Sequence, residues 1–223
     1  MFNQRHPLYN KYKSLKCGIY TIEGIISAGK TTLGRSIEKF FSNIGIEAKF
    51  FPEYVNKDLL GQYISDMPRY AYGFQMIMLC KRIEIYRQAE EYAKTGGIAI
   101  IDRSIIGDMT FARMQKDNGN FTQTEFDIYL SVMKQEIQLA PTASLFLKCT
   151  SQTSLERINK RGIEAEINGY SIEYLQQLYQ AYNLSISQCN SVCHVIVEWD
   201  KSNNVENGYL RETTICDILD LLL

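Results

Sequence analysis

Residues 18–32 read Gly18-Ile19-Tyr20-Thr21-Ile22-Glu23-Gly24-Ile25-Ile26-Ser27-Ala28-Gly29-Lys30-Thr31-Thr32. The first six make a short β-like run, and residues 24–31 complete the spacing G-x-x-x-x-G-K-[ST]. Beyond them Leu33, Ile37, Phe40, Phe41 and Ile44 fall on one helical face. A strand, a glycine loop and a helix in that order make an anion cradle. The glycines let the backbone turn so that successive N–H groups converge at the start of the helix. Lys30 then reaches the β- and γ-phosphates, and the Thr31 hydroxyl ligates Mg²⁺. Gly24, Ile25, Ile26, Ser27, Ala28, Gly29, Lys30, Thr31 and Thr32 are therefore expected to hold the phosphates of a nucleoside triphosphate. A glycine turn with a solvated lysine is the simpler reading, and it leaves the flanking strand and helix unexplained.

Outward from the loop, β-like runs alternate with helical stretches. Further strands are expected at Ala48–Phe51, Ile98–Ile101, Ser144–Leu147 and His194–Val197. Helical periodicity covers about 70–93, stopped by Gly96-Gly97, then 109–116 and 123–139. It returns with Ile172, Leu175, Leu178, Tyr179 and Tyr182, and closes the chain with Ile215, Ile218, Leu219 and Leu222. Strands separated by helices need crossover connections. The expected class is therefore α/β, a P-loop NTPase with a five-stranded parallel sheet and helices on both faces. Ligands in such sheets bind at the carboxyl ends of the strands.

Composition narrows the partners. Lys+Arg of 24 against Asp+Glu of 25 leaves a net charge of −1 over 223 residues, so neither nucleic acid nor an anionic membrane is an expected partner. No apolar run approaches the roughly 18–20 residues that span a bilayer. Residues 1–16 lack the apolar core of a secretory signal and make a poor transit peptide, so they read as an N-terminal arm on a cytoplasmic protein. One composition runs from 17 to 223, which argues for a single domain. Cys17, Cys80, Cys149, Cys189, Cys193 and Cys216 form no CxxC pair, and a second ligand pair to accompany Cys189, Cys193 and His194 is missing. Buried reduced thiols are expected.

The other strand ends decide the subclass. No N/T-K-x-D base-reading motif is present, and the third strand ends Asp102-Arg103-Ser104 rather than in an acidic pair. The second ends Pro52-Glu53. A carboxylate and an Asp-Arg pair thus flank the phosphate loop. Phosphoryl transfer to a hydroxyl needs a base for the acceptor proton, a cation on the transferring group and a carboxylate for the metal.

With IEGIISAGKTT, Glu53, Phe74-Gln75, Asp102-Arg103-Ser104, Asp108 and RINKRGIEAE in this order, the chain resembles the deoxyribonucleoside kinases from about residue 18 to 185. That resemblance implies a nucleoside monophosphate kinase-like fold, commonly a homodimer, with ATP as donor and Mg²⁺ as cofactor. It implies Glu53 as the base for the substrate 5′-hydroxyl, Arg103 as the residue that orients it and stabilises the transferring group, and Asp102 as support for Mg²⁺ through water. Gln75 would pair with the nucleobase edge, since its amide offers a donor beside an acceptor; Phe74 is as much a core candidate as a stacking one. Arg157 and Arg161, one helical turn apart in a lid of about 157–168, would close over the γ-phosphate. Ile163 stands where the family has a further lid arginine. Glu166 takes the place of the acid on the sugar 3′-hydroxyl, with Glu164 as the substitute. The family tyrosine at that hydroxyl is Ile64 here, and the adjacent Tyr63 is expected to replace it. Arg82 with Asp108 matches a pair found in the deoxycytidine and purine kinases, which implies those substrates over thymidine. A nucleoside monophosphate kinase and a non-catalytic ATP-binding switch are the competing readings.

Overall fold

The computed structural model describes residues 6–136, 140–188, 192–200 and 205–223. Residues 1–5 of the expected arm, the 137–139 end of the helix expected over 123–139, and Cys189 lie outside the described residues.

Strand β1 (Gly18–Glu23) sits at the centre of the sheet, between β3 (Ile98–Asp102) and β4 (Ala143–Lys148). The edges are β2 (Ala48–Phe51) and β5 (Cys193–Glu198), every pairing is parallel, and the order is β2-β3-β1-β4-β5. Each of the five expected strands is present with ends within one residue of expectation. Tyr20, Ile22, Ile100 and Leu145 enter the larger core, with Leu33, Ile37 and Phe41 of α2 (Lys30–Ile44) and Ile215 and Ile218 of α10 (Glu212–Leu219). Ile19, Ala99, Ile101 and Phe51 alternate to the other face, against Tyr86 and Ala89 of α4 (Met67–Lys94). Burial of a Leu, Ile or Phe contributes about 1.5–3 kcal/mol each, and the central strands are buried along nearly their whole length. The loop after β1 is therefore tethered to the most constrained part of the molecule. Gly34 lets α2 lie close, because a Cβ there would overlap the Phe50 ring.

A second apolar cluster joins α4 to α3 (Lys57–Ser65), α5 (Ile105–Asp117) and α6 (Gln123–Glu136), with Tyr63, Leu79, Phe121 and Tyr129 inside. Helices α7 (Ser151–Arg161), α8 (Glu164–Gly169) and α9 (Ile172–Gln188) connect β4 to β5. Among the described residues no helix is long and apolar enough to cross a membrane.

Three expectations are corrected. The 6–16 stretch is not a free arm: α1 (Tyr9–Tyr12) brings Tyr12 into the core, where its hydroxyl donates to Asp220 Oδ1 at 2.9 Å. The cysteines are free, but Cys17, Cys80 and Cys193 are exposed and only Cys149 is buried among those described. The last helix breaks at Leu219 into a 3₁₀ turn, Asp220–Leu222. A small hairpin of β6 (Val205–Glu206) and β7 (Tyr209–Leu210) also precedes α10.

Candidate active site

The phosphate loop is folded by positive φ angles at Gly24 (146°), Ser27 (57°) and Gly29 (102°). Gly29 is required twice over, since a Cβ there would stand 2.8 Å from Trp199 Nε1. Three carbonyls of the loop accept from cations: Ile25 from Lys30 Nζ at 3.1 Å, Gly24 from Arg103 Nη1 at 3.2 Å and Ala28 from Arg157 Nη1 at 2.9 Å. Ile26, Ser27, Gly29, Lys30, Thr31 and Thr32 line a cleft of about 1090 Å³. Pockets for one small ligand run to roughly 300–1,000 Å³, so this cleft has room for a nucleotide and a second, smaller molecule.

Glu53 lines the same cleft and stands just past β2, the strand beyond β3. Its Oε1 accepts from Arg82 Nη2 at 2.9 Å and from Arg103 Nε at 3.1 Å. Burial alone would raise its pKa, but Arg103, Arg82 and Lys30 bring it down to about 2. Lys30 is itself lowered to about 8, by burial first and then by Arg103. Arg103 keeps φ 68°, left-handed for a residue with a side chain, and its carbonyl accepts from Arg82 Nη1 at 3.0 Å. Strain of this kind persists only where the surroundings fix it.

Arg82 also reaches across α4 and α5 to Asp108, Nε to Oδ1 at 2.9 Å. Asp108 is fully buried, and its Oδ2 accepts from Tyr129 of α6 at 2.6 Å. Gln75, buried on α4, donates through Nε2 to the Asp108 carbonyl at 3.1 Å. Phe74, Gln75, Arg82 and Asp108 all line the cleft.

Other expected residues are placed differently from one another. Tyr63 does not form the cleft wall. Its ring stacks on Phe74 with centroids 4.6 Å apart, and its hydroxyl accepts from Gln115 Nε2 at 2.7 Å and meets the Tyr174 hydroxyl at 3.3 Å. It supports the wall from one layer behind, because Ile64 is drawn toward Gly169, where a Cβ would collide with it. The tyrosine that does line the cleft is Tyr170, the residue after α8, stacked on Tyr174 at 5.1 Å. Glu166 is buried and lines the cleft, whereas Glu164 is exposed. Arg161 Nη2 pairs with Glu166 Oε2 at 2.6 Å, and burial raises the pKa of that carboxyl against the arginine's pull. Arg157 is fixed on backbone, with Nη2 donating to the Trp199 carbonyl at 3.1 Å. Ile163 also lines the cleft, adding no charge.

Thr31 and Asp102 suit a divalent cation. The Thr31 hydroxyl donates to Asp102 Oδ2 at 2.5 Å, and Asp102 Oδ1 is buried with no partner among the described residues. Burial raises the Asp102 pKa, as the nearby Glu53 charge also does. A hard cation that keeps several waters needs few protein oxygens of this kind.

Sequence reasoning missed Trp199, Arg35, Lys160 and Tyr170 on the cleft wall. Trp199 was findable, since it directly follows β5 and ligands gather at strand ends. Arg35 lies one helical turn after Thr31, a spacing that also points to it.

The parallel sheet, the glycine loop at its central strand and the paired carboxylate and arginine at the next strand ends define a P-loop phosphotransferase. The family model described as deoxynucleoside kinase matches residues 20–219, and the chain belongs to that family. Relatives include deoxyadenosine kinase of Dictyostelium discoideum, 28% identical over 90% of this chain and 80% of the relative. The deoxyadenosine/deoxycytidine kinase of Bacillus subtilis (strain 168) is 26% identical over 86% of this chain and 90% of its own. Among solved structures, deoxyadenosine kinase from M. mycoides with bound dATP superposes with TM-score 0.72 at 24% identity, covering 92% of this chain and 98% of that one. At that identity the likeness speaks for the fold. The expected family and fold class therefore hold, and the reading as a non-catalytic switch gives way to a kinase.

Proposed function

We propose that the enzyme transfers the γ-phosphoryl group of ATP to the 5′-hydroxyl of a purine deoxynucleoside or deoxycytidine, in preference to thymidine. The observation that carries this reading is Glu53. A carboxylate held by two buried arginines lines one cleft with the phosphate loop, where an alcohol acceptor needs a base and a phosphate acceptor does not. The 5′-oxygen forms its bond to the γ-phosphorus as the bond to the β–γ bridging oxygen breaks; the hydroxyl proton passes to Glu53, and ADP leaves. Arg103 and Lys30 hold the charge that spreads over the transferring oxygens. A carboxylate with a pKa of about 2 is a weak base, but the donor's phosphates bring negative charge beside Lys30 and Arg103. That charge offsets the cations and raises the proton affinity of Glu53 when it is needed.

Thr31 and Asp102 would hold Mg²⁺, which would supply positive charge to offset the charge of the phosphate oxygens. Gly24 to Thr32 cradle the triphosphate, and Arg157 and Arg161 in the 157–168 lid serve the donor. Gln75 reads the base edge with Phe74 beside it. Arg82 with Asp108 leaves polar groups where thymine's methyl would need apolar room. Glu166 takes the sugar 3′-hydroxyl. The names of the relatives, deoxyadenosine, deoxycytidine and deoxyguanosine kinases, support this substrate range. Free thiols among the described cysteines support a reducing, cytoplasmic setting, and the family resemblance supports a homodimer.

The test is a panel of the four deoxynucleosides and their monophosphates as acceptors, with ATP and Mg²⁺. Highest kcat/KM with deoxyadenosine, deoxyguanosine or deoxycytidine supports the reading. Thymidine as best substrate overturns the base preference, and monophosphates as better acceptors overturn the alcohol chemistry.

A further inference from the structure

Glu23 ends β1 immediately before the phosphate loop and is fully buried, yet nothing in the transfer chemistry uses it. Carboxyl groups are rarely buried without a bonded role. Its Oε1 accepts the Ser104 N–H at 2.6 Å. That amide follows directly on Arg103, the residue held in the left-handed region. Its Oε2 has no hydrogen-bond partner among the described residues and points to a spot where three groups meet. A Cβ built on Gly107 would lie 2.5 Å from Glu23 Oε2, 2.5 Å from Arg103 Cγ and 2.6 Å from the Tyr182 hydroxyl. Gly107 is thus a notch in α5 that lets the carboxylate, the arginine stem and the phenol converge. Tyr182, fully buried on α9, accepts from Arg103 Nη1. The Phe111 ring covers the guanidinium at 4.7 Å.

We infer that Glu23, together with Tyr182, is a positioning residue for phosphoryl transfer that acts through Arg103. Glu23 fixes the left-handed turn from the backbone side, and Tyr182 anchors the guanidinium from behind, opposite Glu53. When Glu53 takes up the acceptor proton, Arg103 loses a partner on its front face. The rear anchors keep it aimed at the transferring group. This inference rests on the role given to Arg103 in the proposed reaction.

The test compares Glu23→Gln and Tyr182→Phe, each alone and combined with Arg103→Lys, using ATP, Mg²⁺ and whichever deoxynucleoside the wild type turns over fastest. Glu23→Gln is near-isosteric but puts a neutral amide oxygen in place of the carboxylate, so the bond from the Ser104 N–H that holds the turn loses its charge assistance. It is expected to lower kcat roughly 10- to 100-fold while KM for both substrates stays within about threefold. In the Arg103→Lys background the same change should cost less than about threefold, because residues acting as one unit are not additive. Tyr182→Phe should show the same loss confined to kcat, and it serves as the test if Glu23→Gln does not fold. A normal kcat in a folded Glu23→Gln, or equal losses in both backgrounds, overturns the inference alone. Arg103→Lys at the wild-type rate, or a wild type inert with every deoxynucleoside, overturns the proposed reaction and this inference with it.

Discussion

The two ends of the cleft use the same kind of side chain in opposite ways. At the acceptor end Arg82 is 5% exposed, and each of its three guanidinium nitrogens donates a bond: to Asp108, to the Arg103 carbonyl and to Glu53. At the lid end the Arg161 side chain is 41% exposed and has one ion-pair partner among the described residues, Glu166. A guanidinium removed from water cannot be left unpaired, so folding itself fixes where Arg82 points. An exposed guanidinium is held by about 1 kcal/mol or less, so a ligand can redirect it. In the proposed reaction, the end that holds Glu53 is built before any substrate arrives, whereas Arg161 at the lid end is free to be recruited.

That contrast is open to attack, beginning where the effects are largest. Glu53→Gln should lower kcat by roughly 10²–10⁴ while leaving ATP binding in place; loss of ATP affinity with kcat unchanged would show that the carboxylate serves the donor instead. Next, Arg82→Ala leaves Asp108 in the core without its arginine. It should cost about 3–5 kcal/mol in urea unfolding. The pair Arg82→Met with Asp108→Leu should recover most of that stability and lose the preference among bases. An Arg82→Ala protein as stable as wild type would mean the acceptor end is as loosely held as the lid.

How the two ends read in sequence follows the same division. The phosphate loop and the Asp102-Arg103 turn sit at the ends of strands buried on both faces, where an apolar run of fixed length leaves little choice of position, and Glu53 follows the short edge strand β2 two residues past Phe51. Arg82 was legible by its spacing from Gln75 along one helix, and its pairing with Asp108 through the family resemblance. Tyr63 was not, because the stretch before it is a short helix whose packing is set by Ile64 against Gly169, a contact between residues far apart in the chain. Helix α3 went unread although Asn56 caps it, its side chain accepting from the Asp58 and Leu59 amides at 3.0 and 3.1 Å. The hairpin before α10 went unread too, despite Asn207-Gly208 at its turn with φ of 52° and 81°. Strands of two residues have no period to detect.

Lys30 gives the next effect in size. Burial lowers its pKa from 10.5 to about 8, so in the free protein it is charged below pH 8 and neutral above. Below pH 8 the folded protein bears the full cost of a buried ammonium. Because the unfolded chain holds that proton up to pH 10.5, this group's contribution to stability rises between pH 8 and 10.5. Triphosphate favours the ammonium and raises its pKa again. Binding above pH 8 should therefore take up a proton, and affinity should fall by up to about tenfold per pH unit. Calorimetry in buffers of different ionisation enthalpy measures the uptake. No uptake near pH 9 would place Lys30 outside the phosphate site. A smaller, substrate-dependent effect is expected at Tyr170. If it lines the sugar, Tyr170→Phe should narrow the kcat/KM ratio of deoxy- to 2′,3′-dideoxynucleosides by roughly two- to tenfold. Tyr63→Phe, one layer back, should leave that ratio alone, and the reverse outcome would restore Tyr63 to the wall.

The smallest stability effect belongs to Arg161, and it is the sharpest check on the lid end. Its one described ion pair, with Glu166, is half in water on the arginine's side, so Arg161→Ala should change unfolding free energy by no more than about 1 kcal/mol. The same substitution frees the Glu166 carboxylate, whose pKa burial already raises, and removes a cation from the donor phosphates. KM for ATP should rise several-fold and fall less in low salt for the variant than for wild type, since the missing charge can no longer be unscreened. A protein that instead lost several kcal/mol on Arg161→Ala would carry a lid locked as firmly as the Arg82 network, and the division between a preformed acceptor end and a recruitable donor end would disappear.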